Sequence, residues 1–157
     1  FAKSVVLLEE GSAIAAFERG ADLMGLFQRH KRLRREVTLV DCNGKKNIPA
    51  FQRVLNAFCI PYRVMHDADT NNPAAFADNA PIAAALPAGG ANLIHMITPN
   101  DLEGLLGYVA VKGVSKPYVA VCTVENLHSQ EQLPAAFQQA VCMAYFGQLV
   151  EPSPCRM

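Results

Sequence analysis

The 157-residue chain has the length of one ordinary domain, and 51% apolar residues with 18% charged ones describe a globular protein rather than a disordered one. Fourteen Lys and Arg balance fourteen Asp and Glu, so any attraction to a polyanion has to come from local patches and not from the total. No apolar run is long enough to span a bilayer and no signal-peptide layout is visible. The five cysteines (Cys42, Cys59, Cys122, Cys142, Cys155) are scattered without a Cys-x-x-Cys pair. Four of them sit among apolar neighbours and read as small core residues in a reducing compartment such as the cytoplasm, and the spacing argues against a zinc site.

Ser4 to Leu8 (Ser-Val-Val-Leu-Leu) is a continuous apolar run of strand length, as expected of a strand covered on both faces. Glu9-Glu10-Gly11-Ser12 ends it, with Gly11 permitting a turn and Ser12 available to cap a helix. Ile14, Phe17, Ala21, Met24 and Leu26 recur at helical spacing up to about Phe27. A basic run, Arg29-His30-Lys31-Arg32-Leu33-Arg34-Arg35, follows; it suits either a solvated loop or contact with a phosphate backbone. Glu36 to Asp41 is a second strand. Asn47 is placed to cap a helix carrying Pro49 in its first turn, with Ile48, Phe51, Val54, Leu55 and Phe58 on one face. Ile60-Pro61 ends that helix and Tyr62 to Met65 forms the third strand.

Strand-helix-strand-helix-strand with short turns predicts an α/β fold with parallel crossovers. Further on, the alanine-rich stretch from Pro73 to Leu86 suits a helix broken near Pro81 or a loop followed by a helix. Asn92 to Ile97 reads as a fourth strand. Asp101 to Gly107 reads as a short helix with Thr98 or Asn100 at its start. Tyr118 to Leu127 is β-branched yet follows Ser115-Lys116-Pro117, a helix opening, and is taken as helix. Leu133 to Leu149 is a long amphipathic helix.

The third strand runs out into His66-Asp67-Ala68-Asp69. In an extended chain residues two apart share a face, so this spacing aims two carboxylates at one place. Two such anions call for a hard divalent cation, Mg²⁺ or Mn²⁺, though Asp-x-Asp also occurs in plain solvated turns. Ligands of parallel α/β sheets bind beyond the C-terminal ends of the strands. Glu10, at the end of the first strand, would there join Asp67 and Asp69 as a third carboxylate. His66, of opposite parity, reads as a packing residue.

Leu7-Leu8-Glu9-Glu10-Gly11, then Asn43-Gly44-Lys45-Lys46-Asn47-Ile48-Pro49-Ala50-Phe51, then Ile60-Pro61 leading into His66-Asp67-Ala68-Asp69, resemble in order and spacing the Toprim domain. The likeness is to the version in OLD (overcoming lysogenization defect) family ATP-dependent endonucleases. It spans roughly residues 3 to 120. It implies a Rossmann-like, four-stranded parallel sheet of order 2-1-3-4 with helices on both faces. Residues 1–115 would form the core and 116–157 a C-terminal helical extension. The resemblance further implies a Mg²⁺- or Mn²⁺-dependent phosphodiester hydrolase acting on DNA, with one or two ions bound. It also implies an ATPase domain ahead of residue 1 in a longer protein, in keeping with a chain that does not begin with Met; a homo-oligomer is a further possibility.

Carried over by motif, Glu10 matches the family glutamate after the first strand, and Asp67 and Asp69 its Asp-x-Asp pair. Asp101-Leu102-Glu103 looks like the later acidic motif, with Glu103 as ligand, preferred over Thr123-Val124-Glu125. Lys116 resembles the lysine placed near the scissile phosphate. One position departs from the pattern: the place of a second glutamate, four residues after the first, holds Ile14. That departure favours the alternative of a degenerate, non-catalytic Toprim module that binds DNA or a protein partner. Another rival is a different Toprim enzyme, a topoisomerase or primase fragment, against which the lack of zinc motifs and of a tyrosine-bearing module counts; the remoter alternative is a phosphatase or response-regulator-like domain with Asp67 as phosphoacceptor.

Overall fold

A computed structural model describes residues 3–97, 101–109 and 113–147, without the side chains of 91, 92, 95 and 96. Its centre is a parallel sheet. Strands β1 (Ser4–Leu8), β2 (Val37–Asp41), β3 (Tyr62–Asp67) and β4 (Ile94–Ile97) lie in the order β2-β1-β3-β4. Val5 pairs with Thr38 on one side and Tyr62 on the other, and Asp67 pairs with Ile97, so all strands end on the same edge.

Alternation along β1 and β3 divides the core in two. Val6, Leu8 and Met65 face one layer, where helices α1 (Gly11–Leu23), α7 (Leu102–Leu106), α8 (Lys116–Glu125) and α9 (Ala135–Phe146) pack. Leu7, Tyr62 and Val64 face the other, with Ile48 of α4 (Ile48–Ala57) and Ile82 of α6 (Asn79–Ala84). The short helices α2 (Leu26–Arg29), α3 (Leu33–Glu36) and α5 (Pro73–Ala77) complete the helical set. Apolar residues on both faces of β1 and β3 are what a doubly covered parallel sheet requires. No helix among the described residues is long and apolar enough to cross a membrane.

Several local expectations change. The helix expected from Ala13 to Phe27 starts at Gly11 and breaks at Gly25, whose φ of 64° ends α1 and lets α2 leave at a new angle. Ser12 lies inside α1 rather than capping it, and Glu10 takes the cap position without a side-chain bond. The basic run is no simple loop, since its ends are helical in α2 and α3. Asn47 does not cap α4 through its side chain; its Nδ2 instead donates to the carbonyls of Cys42 and Asn43, closing the preceding turn.

On α4 the inward stripe is Ile48, Gln52 and Leu55, while Phe51, Val54 and Phe58 face solvent. Both sets fit helical spacing. Gln52 turns inward because its Nε2 satisfies the Ile82 carbonyl at 3.1 Å. Cys42 and Cys142 are buried as expected, but Cys59 is exposed at positive φ just after α4. The alanine-rich stretch makes two short helices, α5 and α6. The segment after Lys116 is helical throughout α8. Thr98, Asn100, Leu149 and Cys155 lie outside the described residues, and so does the side chain of His95.

Candidate metal and phosphate site at the sheet edge

The C-terminal edge of the sheet gathers carboxylates from three places in the chain. Glu9 and Glu10 follow β1, Asp67 ends β3, and Glu103 lies in the first turn of α7. Asp67 is half-buried, and its Oδ1 accepts the Leu102 N–H at 3.2 Å, the first residue of α7. Its own N–H is directed at Glu9 Oε2, 3.4 Å away. Burial, and then the charges of Glu9, Glu103, Asp69 and Asp101, push the Asp67 carboxyl up from 3.8 to about 8. Burial also raises Glu9, against the lowering pull of Lys45.

Two lysines enter this acidic edge. Lys45 is nine-tenths buried, and its Nζ donates to the Asp69 carboxylate and, at 2.7 Å, to the Asp67 carbonyl. The turn that carries it is fixed to the end of β1: Cys42 N–H donates to the Leu8 carbonyl and Gly44 N–H to that of Glu9. Gly44 has a φ of 108°, a backbone conformation that residues with a side chain rarely adopt, although the space beside it is open. Lys116, the first residue of α8, pairs with Glu10 at 2.9 Å and with Glu103 at 3.5 Å. The bond from Glu10 and both charges raise the Lys116 ammonium above its ordinary value. Tyr108 lies close by, pushed up to about 12 by burial and then by Glu103 and Glu10.

The sequence-derived residues Glu10, Asp67, Glu103 and Lys116 therefore meet at one edge. Asp69 belongs to the same neighbourhood, but not by strand alternation. The strand ends at Asp67, and Asp69 adopts a left-handed φ of 52° that turns its carboxylate to Lys45. His66 is buried, with Nδ1 donating to the Asp67 carbonyl at 2.8 Å, the packing role its parity suggested. Glu125, the rival for the later acidic motif, lies at the far end of α8 and faces Arg19 at 3.9 Å. Ile14 packs against the core on the α1 side.

Sequence reasoning missed the roles of Glu9 and Lys45. Both stand there only as members of the stretches 7–11 and 43–51, with no role of their own. A lysine followed by a helix start gives no hint that it will be buried; that comes from the turn bonded onto β1. Asp101 was read only as part of a motif, yet it caps α7 by accepting the Gly104 N–H at 2.7 Å.

An oxygen-only donor set with a carboxyl held protonated to about pH 8 suits a hard divalent cation, which would relieve the crowding of like charges. Among the described residues no three His, Cys, Asp or Glu side chains are arranged as a ready-made ion cage. The lysines take up part of the carboxylate charge instead.

The parallel sheet, of order β2-β1-β3-β4, carries Glu10 and the Asp67-Ala-Asp69 segment at its C-terminal edge, the arrangement that the Toprim resemblance implies. Residues 1–69 match the family model described as "Overcoming lysogenization defect protein-like, TOPRIM domain", so the resemblance carried by the motifs holds over that part of the chain. Among solved structures, the C-terminal region of the Burkholderia pseudomallei OLD protein is similar with a TM-score of 0.60 and 12% identity. That likeness covers 90% of this chain and 96% of the other, and it is one of fold. No curated protein matches the sequence.

Proposed function

We propose that the chain is the nuclease part of an ATPase-nuclease protein and hydrolyses phosphodiester bonds in DNA, by nicking or cutting, with Mg²⁺ or Mn²⁺. The observation that carries this reading is the meeting of Glu9, Glu10, Asp67 and Glu103 with Lys116 at one sheet edge, in a chain whose first 69 residues match the OLD-like Toprim model. Asp67 with Glu9 or Glu10 would hold one ion, and Glu103 and Asp69 would contribute to a second. A divalent cation supplies there an activated water and charge stabilisation for the leaving oxygen. Lys116, half exposed and already among the carboxylates, is positioned to neutralise charge on a phosphate drawn to this edge. Residues 1–115 carry the catalytic edge, and 116–157 extend the same domain while supplying Lys116. A cytoplasmic setting, a neighbouring ATPase domain and self-association complete the reading.

A second reading, a non-catalytic Toprim module that binds DNA or a partner, is favoured by Ile14, which packs partly buried against the core where the family pattern has a glutamate. A plasmid nicking assay with Mg²⁺ or Mn²⁺ separates the two. The nuclease reading expects metal-dependent nicking by the wild type that Asp67→Ala and Glu10→Ala abolish. Nicking that survives both substitutions overturns the site assignment. Absent nicking with retained, salt-sensitive DNA binding favours the module.

A further inference from the structure

At the opposite edge of the sheet, where β1, β2 and β3 begin, lies an open cavity of about 580 Å³. Five basic side chains line it: Lys3, Arg29, Lys31, Arg32 and Arg63. The one carboxylate in its wall is Glu36, and Lys3 already engages that group at 2.7 Å. None of the ion pairs among the described residues involves Arg29, Lys31, Arg32 or Arg63.

Arg63 is the informative member. It stands on β3, half-buried, and its Nη2 donates to the Ala144 carbonyl at 2.6 Å. Its Nε is buried without a hydrogen-bond partner among the described residues. A partly buried guanidinium with a donor to spare and no carboxylate is costly unless an anion supplies the missing bonds. Arg29 is fixed in place by donating to the Met24 carbonyl at 2.7 Å. Lys31 and Arg32 stand exposed between α2 and α3 at the cavity's mouth.

We propose that this cavity is an anion site that grips the phosphate backbone of a nucleic acid, on the face of the domain opposite the carboxylate edge. Four cations outside any ion pair among the described residues, contributed by α2, the turn after it and strand β3, suit an extended polyanion. The opening to solvent suits a chain that runs through the site rather than an enclosed small molecule. The two edges are separated by the five residues of β1, roughly 15 Å at the usual strand rise. A nucleic acid gripped here is therefore held by contacts distinct from those that would handle a scissile phosphate. The inference shares its ligand with the nuclease reading but does not depend on hydrolysis.

The test is fluorescence anisotropy of a labelled DNA duplex titrated with the 157-residue chain at several salt concentrations and without divalent metal. Lys31→Glu/Arg32→Glu, at two exposed positions, is expected to weaken binding at least tenfold and to reduce the salt slope by about two. Arg63→Lys keeps the charge but removes Nε, and is expected to weaken binding less. No wild-type binding at low salt, or binding unchanged in Lys31→Glu/Arg32→Glu, overturns the proposal. Inorganic pyrophosphate serves as competitor: displacement of the duplex at micromolar pyrophosphate would mark a small-phosphate pocket and overturn the backbone reading, whereas displacement only at millimolar levels supports it. If wild type fails to nick DNA while the charge reversal abolishes binding, the nuclease reading falls and this one stands.

Discussion

The ammonium of Lys116 lies 2.9 Å from the carboxylate of Glu10, a residue 106 positions earlier in the chain. The pair joins the start of α8 to the end of β1, and Glu103 reaches the same ammonium from α7. Lys116→Ala is expected to lower metal-dependent nicking about a hundredfold, the usual scale for a donor aimed at developing charge. Because the pair is half exposed, stability in urea should change by less than about 1 kcal/mol. Lys116→Arg should recover part of the activity. A large loss of stability with unchanged nicking would instead assign the lysine a structural role.

Lys45 is the opposite case. Its ammonium is buried against Asp69 and the Asp67 carbonyl. Removing one partner of a buried pair leaves an uncompensated charge, so Lys45→Met should destabilise the fold by about 3 kcal/mol. Adding Asp69→Asn should restore at least half of that loss. Urea denaturation of the two variants measures both effects.

The raised Asp67 carboxyl makes stability depend on pH. Its folded value, about 8, lies above the ordinary 3.8, so the folded state binds more protons than the unfolded chain between these limits. Stability contributed by this group is therefore full below about pH 4 and falls as pH rises to about 8; Glu9 shifts in the same sense. Asp67→Asn removes that decline. The stability gap between variant and wild type should widen in the variant's favour as pH rises, by at most about 1.4 kcal/mol per pH unit. Thermal melts without divalent metal at pH 5, 6.5 and 8 give the comparison, and a gap that stays constant would show that Asp67 is ionised throughout.

Gly20 marks where α1 meets α9. A Cβ there would sit 2.6 Å from Phe137 Cε1 and 3.2 Å from Val141 Cγ2. Alanine would gain about 1 kcal/mol of helix propensity but force an overpacked contact costing about 1–3 kcal/mol. Gly20→Ala should therefore destabilise by about 1 kcal/mol, and Phe137→Leu in the same chain should reverse the sign. Melting temperatures of the single and double variants decide it.

Much of the framework was readable because it rests on local pattern. Ser-Val-Val-Leu-Leu announces a strand covered on both faces, and the alternation of apolar runs with helical spacing announces parallel crossovers. Asp67 and Glu10 were found because strand ends put residues on one edge. What escaped depends on tertiary detail. Asp69 reaches the site through a left-handed turn that alternation does not foresee. Lys45 is buried because its turn is stitched to β1 by backbone bonds. On α4, two stripes of apolar residues competed, and the choice between them was settled by a glutamine that bonds a carbonyl of α6. The inward-facing set contains the polar residue, so hydrophobicity alone selects the wrong face.

The last helix bears on how small this protein can be made. Phe137, Val141 and Ala144 of α9 share one apolar cluster with Phe17 of α1 and with Val6 and Leu8 of β1, and Arg63 of β3 holds the Ala144 carbonyl. Ala120 and Val124 of α8 belong to the same cluster. A fragment stopped at residue 115 would keep every strand yet expose the apolar cluster that α1 and α7 share with the lost helices. It would be expected to collapse or clump rather than behave as a miniature of the whole. The minimal folding unit thus runs at least to Phe146, and dissection by deletion from that end will report on solubility before it reports on chemistry.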